Sequence, residues 1–323
     1  MPNAAPTGAA IVLSIAAVER ETGLSKDTLR VWERRYGFPL PQRDAVGERA
    51  YPIEQVDKLR VVKRLLDGGH RPGRVVPMPV QELQALAGAA APQPPKAAAG
   101  GPGVIQSFLE LIRGHNVAAL KRELGQALSR TGADRFVNEL VAPLNVAVGD
   151  AWLRGHMEVF EEHLYTEAVQ VVLRQAIAGM PEPARGGGPC VLLSTLPGEP
   201  HGLGLLMAET TLTLEGCPCV SLGVQTPVWD MARAAQAQRV DVVALGFTGC
   251  MNPNQVVLGL QALRAQLPPT VAVWAGGAAP VLYRRRVEGV EPIPSMKALA
   301  ARVQLWRATE ARPRALSPAL TAS

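Results

Sequence analysis

The chain is poor in the features that would place it outside a cell or in a membrane. It has four cysteines, Cys190, Cys217, Cys219 and Cys250, in 323 residues. None forms a CxxC pair or a disulfide-rich spacing, so a stapled secreted fold is excluded and a reducing cytoplasm fits. Cys217-Pro218-Cys219 raises a metal or redox site, but small thiols buried beside strands are the expected outcome. No apolar run reaches the ~18 residues that span a bilayer. The early run GAAIVLSIAAV is short, lacks a basic leader and is followed by Glu19 and Arg20, which excludes a signal peptide. Catalytic patterns are missing too. No Ser/His/Asp arrangement, Walker loop or paired-carboxylate site stands out, and GGGP at 186–189 lacks the helix and lysine of a phosphate cradle. No enzyme activity is expected.

What is present is a hydrophobic content of 47% against 19% charged residues. That suits two or three packed domains in a chain of this length. Formal net charge is +5. Residues 11–76 hold 13 Lys/Arg and 9 Asp/Glu, a balance of +4, so the basic excess sits near the N-terminus. That asymmetry points to nucleic acid. The small residues of 1–10 read as a disordered tail and 309–323 as a loose one. A compact helical module is expected over 11–78, then a Pro/Ala/Gly-rich linker over 79–103 with a helical patch at Val80–Leu86. Residues 104–182 carry helical periodicity throughout, which predicts a four-helix bundle. Over 188–308 short apolar runs (CVLLS, CVSLG, DVVALGF, VAVWAGG, a weaker EPIP) alternate with helical patterns. That alternation predicts a parallel sheet with helices on both faces.

In the N-terminal module, Ile15, Val18 and Leu24 bracket a helix and a turn at Gly23. Ser25 is a good N-cap for a second helix carrying Leu29, Trp32 and Tyr36. Two short helices about a glycine turn make a helix-turn-helix. The second helix also carries Lys26, Arg30, Arg34 and Arg35, side chains suited to phosphates and base edges. PQRDAVGERAY reads as a small hairpin with Arg43 and Arg49 near its tip. The run Thr28-Leu29-Arg30-x-Trp32-Glu33-x-Arg35-Tyr36-Gly37, with Pro41-x-Arg43 and Gly47-x-Arg49-x-Tyr51, resembles the winged helix-turn-helix of MerR-family transcription regulators. The resemblance implies a double-stranded DNA operator as partner, contacted by Lys26, Arg30, Arg34, Arg35, Arg43, Arg49 and Tyr51, with Trp32 in the core. The family's long dimerising helix is replaced here by APQPPKAAAGGPG. A homo-oligomer, dimer or tetramer, would therefore have to form through the C-terminal domains, since palindromic reading needs two modules.

The stretch LPGEPHGLGL (196–205) holds a histidine in a loop of prolines and glycines, between a strand and a helix. Ligands of open α/β sheets bind outside the carboxyl ends of strands, and imidazole suits a transition metal. The other histidines, His70, His115, His156 and His163, lie outside this domain. A protein-built site needs three or four ligands, so a single histidine suggests a metal that brings its own macrocycle. Glu199-x-His201-x-x-Gly204 resembles the Asp/Glu-x-His-x-x-Gly signature of cobalamin-binding domains. The resemblance implies a flavodoxin-like (Rossmann-type) cobalamin domain with His201 as the lower ligand of cobalt and Glu199 orienting it. It further implies that Gly276-Gly277 is the double glycine after the fourth strand. Gly246 or Thr248 must stand in for the serine of the family's Ser-x-Leu segment, and LGVQTP resembles the loop after the second strand.

Trp152, followed after nine residues by Glu162-His163, resembles the signature of light-sensing cobalamin regulators joined to MerR modules, the CarH and LitR type. The resemblance implies adenosylcobalamin as cofactor, Trp152 packed on its adenosyl group with Glu162 and His163 nearby, and a repressor that responds to light. Leu153 stands where some relatives carry a histidine able to ligate cobalt after photolysis; His156 or His163 would have to substitute. Two other readings remain open: a MerR-type regulator with another ligand or protein partner, and a corrinoid methyltransferase subunit. The basic helix-turn-helix argues against the second, as does the lack of a substrate barrel of about 250 residues.

Overall fold

The computed structural model describes residues 12–44, 47–67, 70–89, 101–154, 156–183 and 187–310. The tail expected at 1–10 lies outside these, as does most of the one expected at 309–323.

The first module runs β1 (Val12–Ser14), α1 (Ile15–Thr22), α2 (Lys26–Tyr36), β2 (Gln42–Arg43), β3 (Arg49–Pro52), α3 (Ile53–Asp67), α4 (Pro72–Val75) and α5 (Val80–Ala89). Ser14 and Ser25 cap α1 and α2, their hydroxyls accepting from the amides of Ala17 and Thr28 at 3.3 and 3.1 Å. Both helices end at left-handed glycines, Gly23 (φ 67) and Gly37 (φ 68). The strands form an antiparallel sheet in the order β1-β3-β2, with Arg43 paired to Arg49 across the wing. Val18, Leu29, Tyr51, Val56, Leu59 and Val62 fill the core.

The linker expected at 79–103 is shorter than its composition suggests. Residues 80–89 form α5, and Leu83 is buried in the core of the DNA-binding module with Leu86 packed against it. The run VQELQALA has good helix formers and places Val80, Leu83 and Leu86 at a spacing that gives one apolar stripe. α3 offers that stripe a surface. Residues 90–100 lie outside the described residues.

The second domain comprises α6 (Pro102–Arg113), α7 (Val117–Thr131), α8 (Ala133–Arg135), a π-helical turn (Phe136–Val141), α9 (Ala142–Leu153) and α10 (Val159–Ala178). α8, the turn and α9 follow one another without a break, so the bundle has four rods. Pro143 explains the widened turn: it has no amide hydrogen to return to the carbonyl four residues back, and the ladder re-registers. Phe136, Leu140, Leu144, Val148, Tyr165, Val169 and Leu173 meet in the bundle core.

The third domain runs β4 (Val191–Ser194), α11 (Leu203–Leu214), β5 (Cys219–Gly223), α12 (Val228–Gln238), β6 (Val242–Phe247), α13 (Pro253–Gln266), β7 (Ala272–Gly277), α14 (Val281–Arg284), β8 (Val290–Ile293) and α15 (Met296–Glu310). The strands are all parallel, in the order β5-β4-β6-β7-β8. β4 is buried along its whole length, as a central strand covered on both faces must be. This is the flavodoxin-like order, and its switch point lies between β4 and β6. α11 serves two cores. Leu205 and Leu212 pack under the sheet, while Leu206 and Met207 enter the bundle core.

Candidate functional site

The loops leaving β4 and β6 diverge at the switch point, and both present polar side chains there. Glu199, from the first loop, has a side chain with 0% exposure. A carboxylate so buried must be matched by donors, and it is. His201 Nδ1 donates to Oε1 at 2.6 Å. From the second loop, the Thr248 amide and hydroxyl donate to Oε2 at 2.8 and 2.9 Å. The Thr248 hydroxyl also lies 3.2 Å from His201 Nδ1. Thr195 Oγ1 donates to the Glu199 carbonyl at 2.6 Å and accepts from the Gln225 amide at 2.7 Å, tying in the loop after β5.

Burial works against the charge on Glu199, but hydrogen bonds from His201 and the Thr248 amide outweigh it and hold the carboxyl below its ordinary range. Hydrogen bonds to Cys250 and Glu199 push His201 up to about 10. Its ring is 49% exposed. With Nδ1 committed to Glu199, Nε2 is the nitrogen left to ligate.

Glu199, His201 and Thr248 are thus brought together, and of the two residues that could replace the family's serine, Thr248 reaches the pair. Gly204 sits in the first turn of α11, where an added Cβ would meet nothing within 4 Å. Open space beside a half-exposed, carboxylate-oriented imidazole suits a bulky macrocycle whose metal takes one nitrogen. Gly276 and Gly277 also meet a constraint from the sheet itself. A Cβ on Gly277 (φ 118) would lie 2.0 Å from the Phe247 carbonyl oxygen, and one on Gly276 3.0 Å from that of Ile293. The neighbouring strands demand glycine at 277 and crowd position 276.

Trp152, Glu162 and His163 stand on the bundle. Trp152, near the end of α9, is half-buried against the bundle core. Glu162 accepts from Thr166 Oγ1 at 2.9 Å. His163 is 70% exposed, with Nε2 3.6 Å from the Glu162 carboxylate.

On the DNA-binding module Arg30, Arg34, Arg35 and Arg43 are exposed and Lys26 is partly so. Tyr51 is a correction: it lies at 0% exposure in the module core, facing inward from β3, and cannot reach DNA from there. Arg49 is held back by Glu33 at 3.0 Å, so it braces the wing on α2.

The residue that motif reading missed is Cys250. Its Sγ lies within 4.8 Å of a His201 ring nitrogen and a Glu199 carboxylate oxygen, and its carbonyl accepts from Lys63 Nζ of α3. The one available signal was position, two residues past Thr248 at the same strand end.

Residues 13–76 match the family described as MerR HTH family regulatory protein. Residues 104–176, the helical bundle, match the B12 binding domain. The HTH-type transcriptional repressor CarH of Myxococcus xanthus is 31% identical over 261 residues, which is 80% of this chain and 86% of CarH. The chain belongs to the cobalamin-binding MerR-type transcription regulators. A second regulator of this group, the repressor CarA of Myxococcus xanthus, is 30% identical over 271 residues, 83% of this chain and 88% of its own length. The monomethylamine corrinoid protein of Methanosarcina barkeri superposes with a TM-score of 0.52 at 15% identity, covering 62% of this chain and 96% of that one. At that identity the likeness is one of fold. As a member of this family the regulator takes a cobalamin-type cofactor and binds DNA. Among the described residues no helix is long and apolar enough to cross a membrane.

Proposed function

We propose that this regulator is a light-responsive repressor whose oligomerisation and operator binding depend on adenosylcobalamin. The observation that carries the reading is the buried Glu199 carboxylate holding the half-exposed His201 ring by Nδ1 at 2.6 Å, at the switch point of the sheet. Bound there, adenosylcobalamin supplies a cobalt–carbon bond that visible light cleaves. His201 Nε2 would hold the cobalt, Glu199 would fix the ring's tautomer and direction, and Thr248, with His201, would keep Glu199 ionised. Trp152, Glu162 and His163 are the bundle residues that would cover the cofactor, with Trp152 offering an aromatic surface to its adenosyl group.

A ligand shifts an equilibrium only when two states bind it differently. Two connections support such coupling in this chain. α11 starts two residues after His201 and lends Leu206 and Met207 to the bundle core, so the bundle cannot move without loading the histidine loop. Lys63 of α3 donates to the carbonyl of Cys250, so the DNA-binding module touches the other loop of the same site. Loss of a two-module assembly would forfeit an effective-concentration gain of roughly 100-fold in operator affinity.

The test is direct. The protein is purified in the dark with adenosylcobalamin, and its spectrum, mass by light scattering and operator affinity are measured before and after illumination. A bound pigment, a dark oligomer and a drop in affinity on illumination are expected. Unchanged mass and unchanged affinity would leave a cobalamin-type regulator that does not sense light. His201→Ala is expected to lose the histidine-ligated spectrum.

A further inference from the structure

We propose that Glu199, His201 and Cys250 form a zinc(II) site in the cofactor-free protein, and that zinc and the corrin exclude one another. The juxtaposition is three different donors, a carboxylate oxygen, an imidazole nitrogen and a thiol sulfur, whose ligating atoms all lie within 4.8 Å of one another. Cys250 is in no disulfide. Thiolate, imidazole and carboxylate together select zinc over the hard cations, which prefer oxygen alone. Three protein ligands leave a fourth position for water. The half-exposed ring of His201 gives the ion an entry path.

The contact with Glu199 points to Nδ1 as the nitrogen that binds zinc. Glu199 Oε1 and His201 Nδ1 already face each other at 2.6 Å across a single proton. A tetrahedral zinc about 2.0 Å from each would hold them roughly 3.3 Å apart, so the hydrogen bond opens by about 0.7 Å and the ion replaces the shared proton. Cys250 follows Gly249, whose φ of 98 marks a sharp loop, and its thiol, which donates to the Gly198 carbonyl at 3.7 Å, gives up that weak bond as it closes on the ion. The proton balance is simple. The Glu199 carboxylate, imidazolium and thiol meet Zn²⁺; Nδ1 and Sγ each lose a proton to solvent; Nε2 keeps its own. The product is a neutral three-ligand centre.

Exclusion follows from the same atoms. Cobalt ligation by Nε2 requires Nδ1 to donate to Glu199, whereas zinc on Nδ1 removes that proton and turns the ring. Zinc binding itself stands independently of the cobalamin reading, and only the exclusion rests on it.

The experiment uses the full-length cofactor-free protein, reduced and metal-stripped. Zinc stoichiometry is measured by equilibrium dialysis, with Co²⁺ as a spectroscopic stand-in for zinc. One equivalent and a thiolate-to-cobalt(II) charge-transfer band in the near ultraviolet are expected. Cys250→Ser, a near-isosteric loop change, should abolish that band and weaken zinc about 10-fold or more, while a Cys217→Ser/Cys219→Ser double variant retains both. Circular dichroism checks that each variant is folded. Absence of stoichiometric zinc, or binding and a band indifferent to Cys250→Ser, overturns the proposal. Prior loading with cobalamin should suppress zinc uptake; full occupancy by both ligands overturns the exclusion. Cys250-dependent zinc binding by a protein that takes up no cobalamin would sustain the zinc site and remove the cofactor reading.

Discussion

Single residues at the switch point set the proton balance of the fold. The folded-state pKa of His201 is raised to about 10, above the ~6.5 of an unfolded histidine. The folded protein therefore binds the extra proton between those values. The stability this contributes is complete below about pH 6.5 and is lost as pH rises through about 10. Glu199 is lowered, so its contribution is present above the ordinary carboxylate range and is lost as pH falls through the depressed value. The cofactor-free wild type should thus exceed His201→Ala in urea midpoint at pH 6.5, with the gap closing towards pH 10.5. A gap independent of pH would mean that the ring is not held in its charged form. Gly277 makes a sharper demand. Its φ of 118 and the 2.0 Å approach of the Phe247 oxygen leave no place for a methyl group. Gly277→Ala should cost about 3 kcal/mol by urea unfolding, and a loss under about 0.5 kcal/mol would deny the backbone contact.

At the scale of elements, the strands and the helix-turn-helix were legible in the sequence because their signals are local. A serine cap three residues before the amide that donates to it, glycines at left-handed ends and a four-residue apolar run each fix a boundary without help from the rest of the chain. The same locality made His201 and Glu199 readable, since they lie two positions apart in one loop. Other features depend on contacts distant in sequence. Cys250 meets His201 only once β4 and β6 lie side by side, and Tyr51 turns inward because β3 is packed against α1 and α3. The helical patch that became α5 was legible at Val80–Leu86, but its docking was not: Leu83 is buried only because the distant α3 offers it a surface. Its burial yields a prediction. Leu83→Ala removes a fully buried side chain from the core of the DNA-binding module and should destabilise that module by about 2–5 kcal/mol. Thermal unfolding followed by circular dichroism measures it; a neutral result would return residues 80–89 to a linker.

Across the whole molecule, the question is how many DNA-binding modules act at once. The chain carries one, and its exposed Arg30, Arg34, Arg35 and Arg43 offer a limited charge footprint. Each phosphate neutralised contributes about 0.9 to the slope of log affinity against log salt. Arg43 stands exposed on the wing strand with Nη1 donating to the Gly47 carbonyl at 2.6 Å, and we propose that it contacts the phosphate backbone. In a two-module complex Arg43→Ala removes two phosphate contacts and should flatten the slope by about 1.8; a single bound module would lose about 0.9. From 50 to 200 mM salt the first case makes the variant's fall in affinity about 10-fold smaller than the wild type's. Arg49→Ala should behave differently. Arg49 is tied to Glu33 at 3.0 Å, so its loss should weaken binding through a loosened wing and leave the slope nearly as it was. Filter binding or fluorescence anisotropy across a salt series, with the cofactor-loaded protein in the dark, separates these outcomes. An unchanged slope for Arg43→Ala would take the wing off the DNA backbone, and a change near 0.9 would mean that modules bind singly, leaving oligomerisation no part in operator affinity.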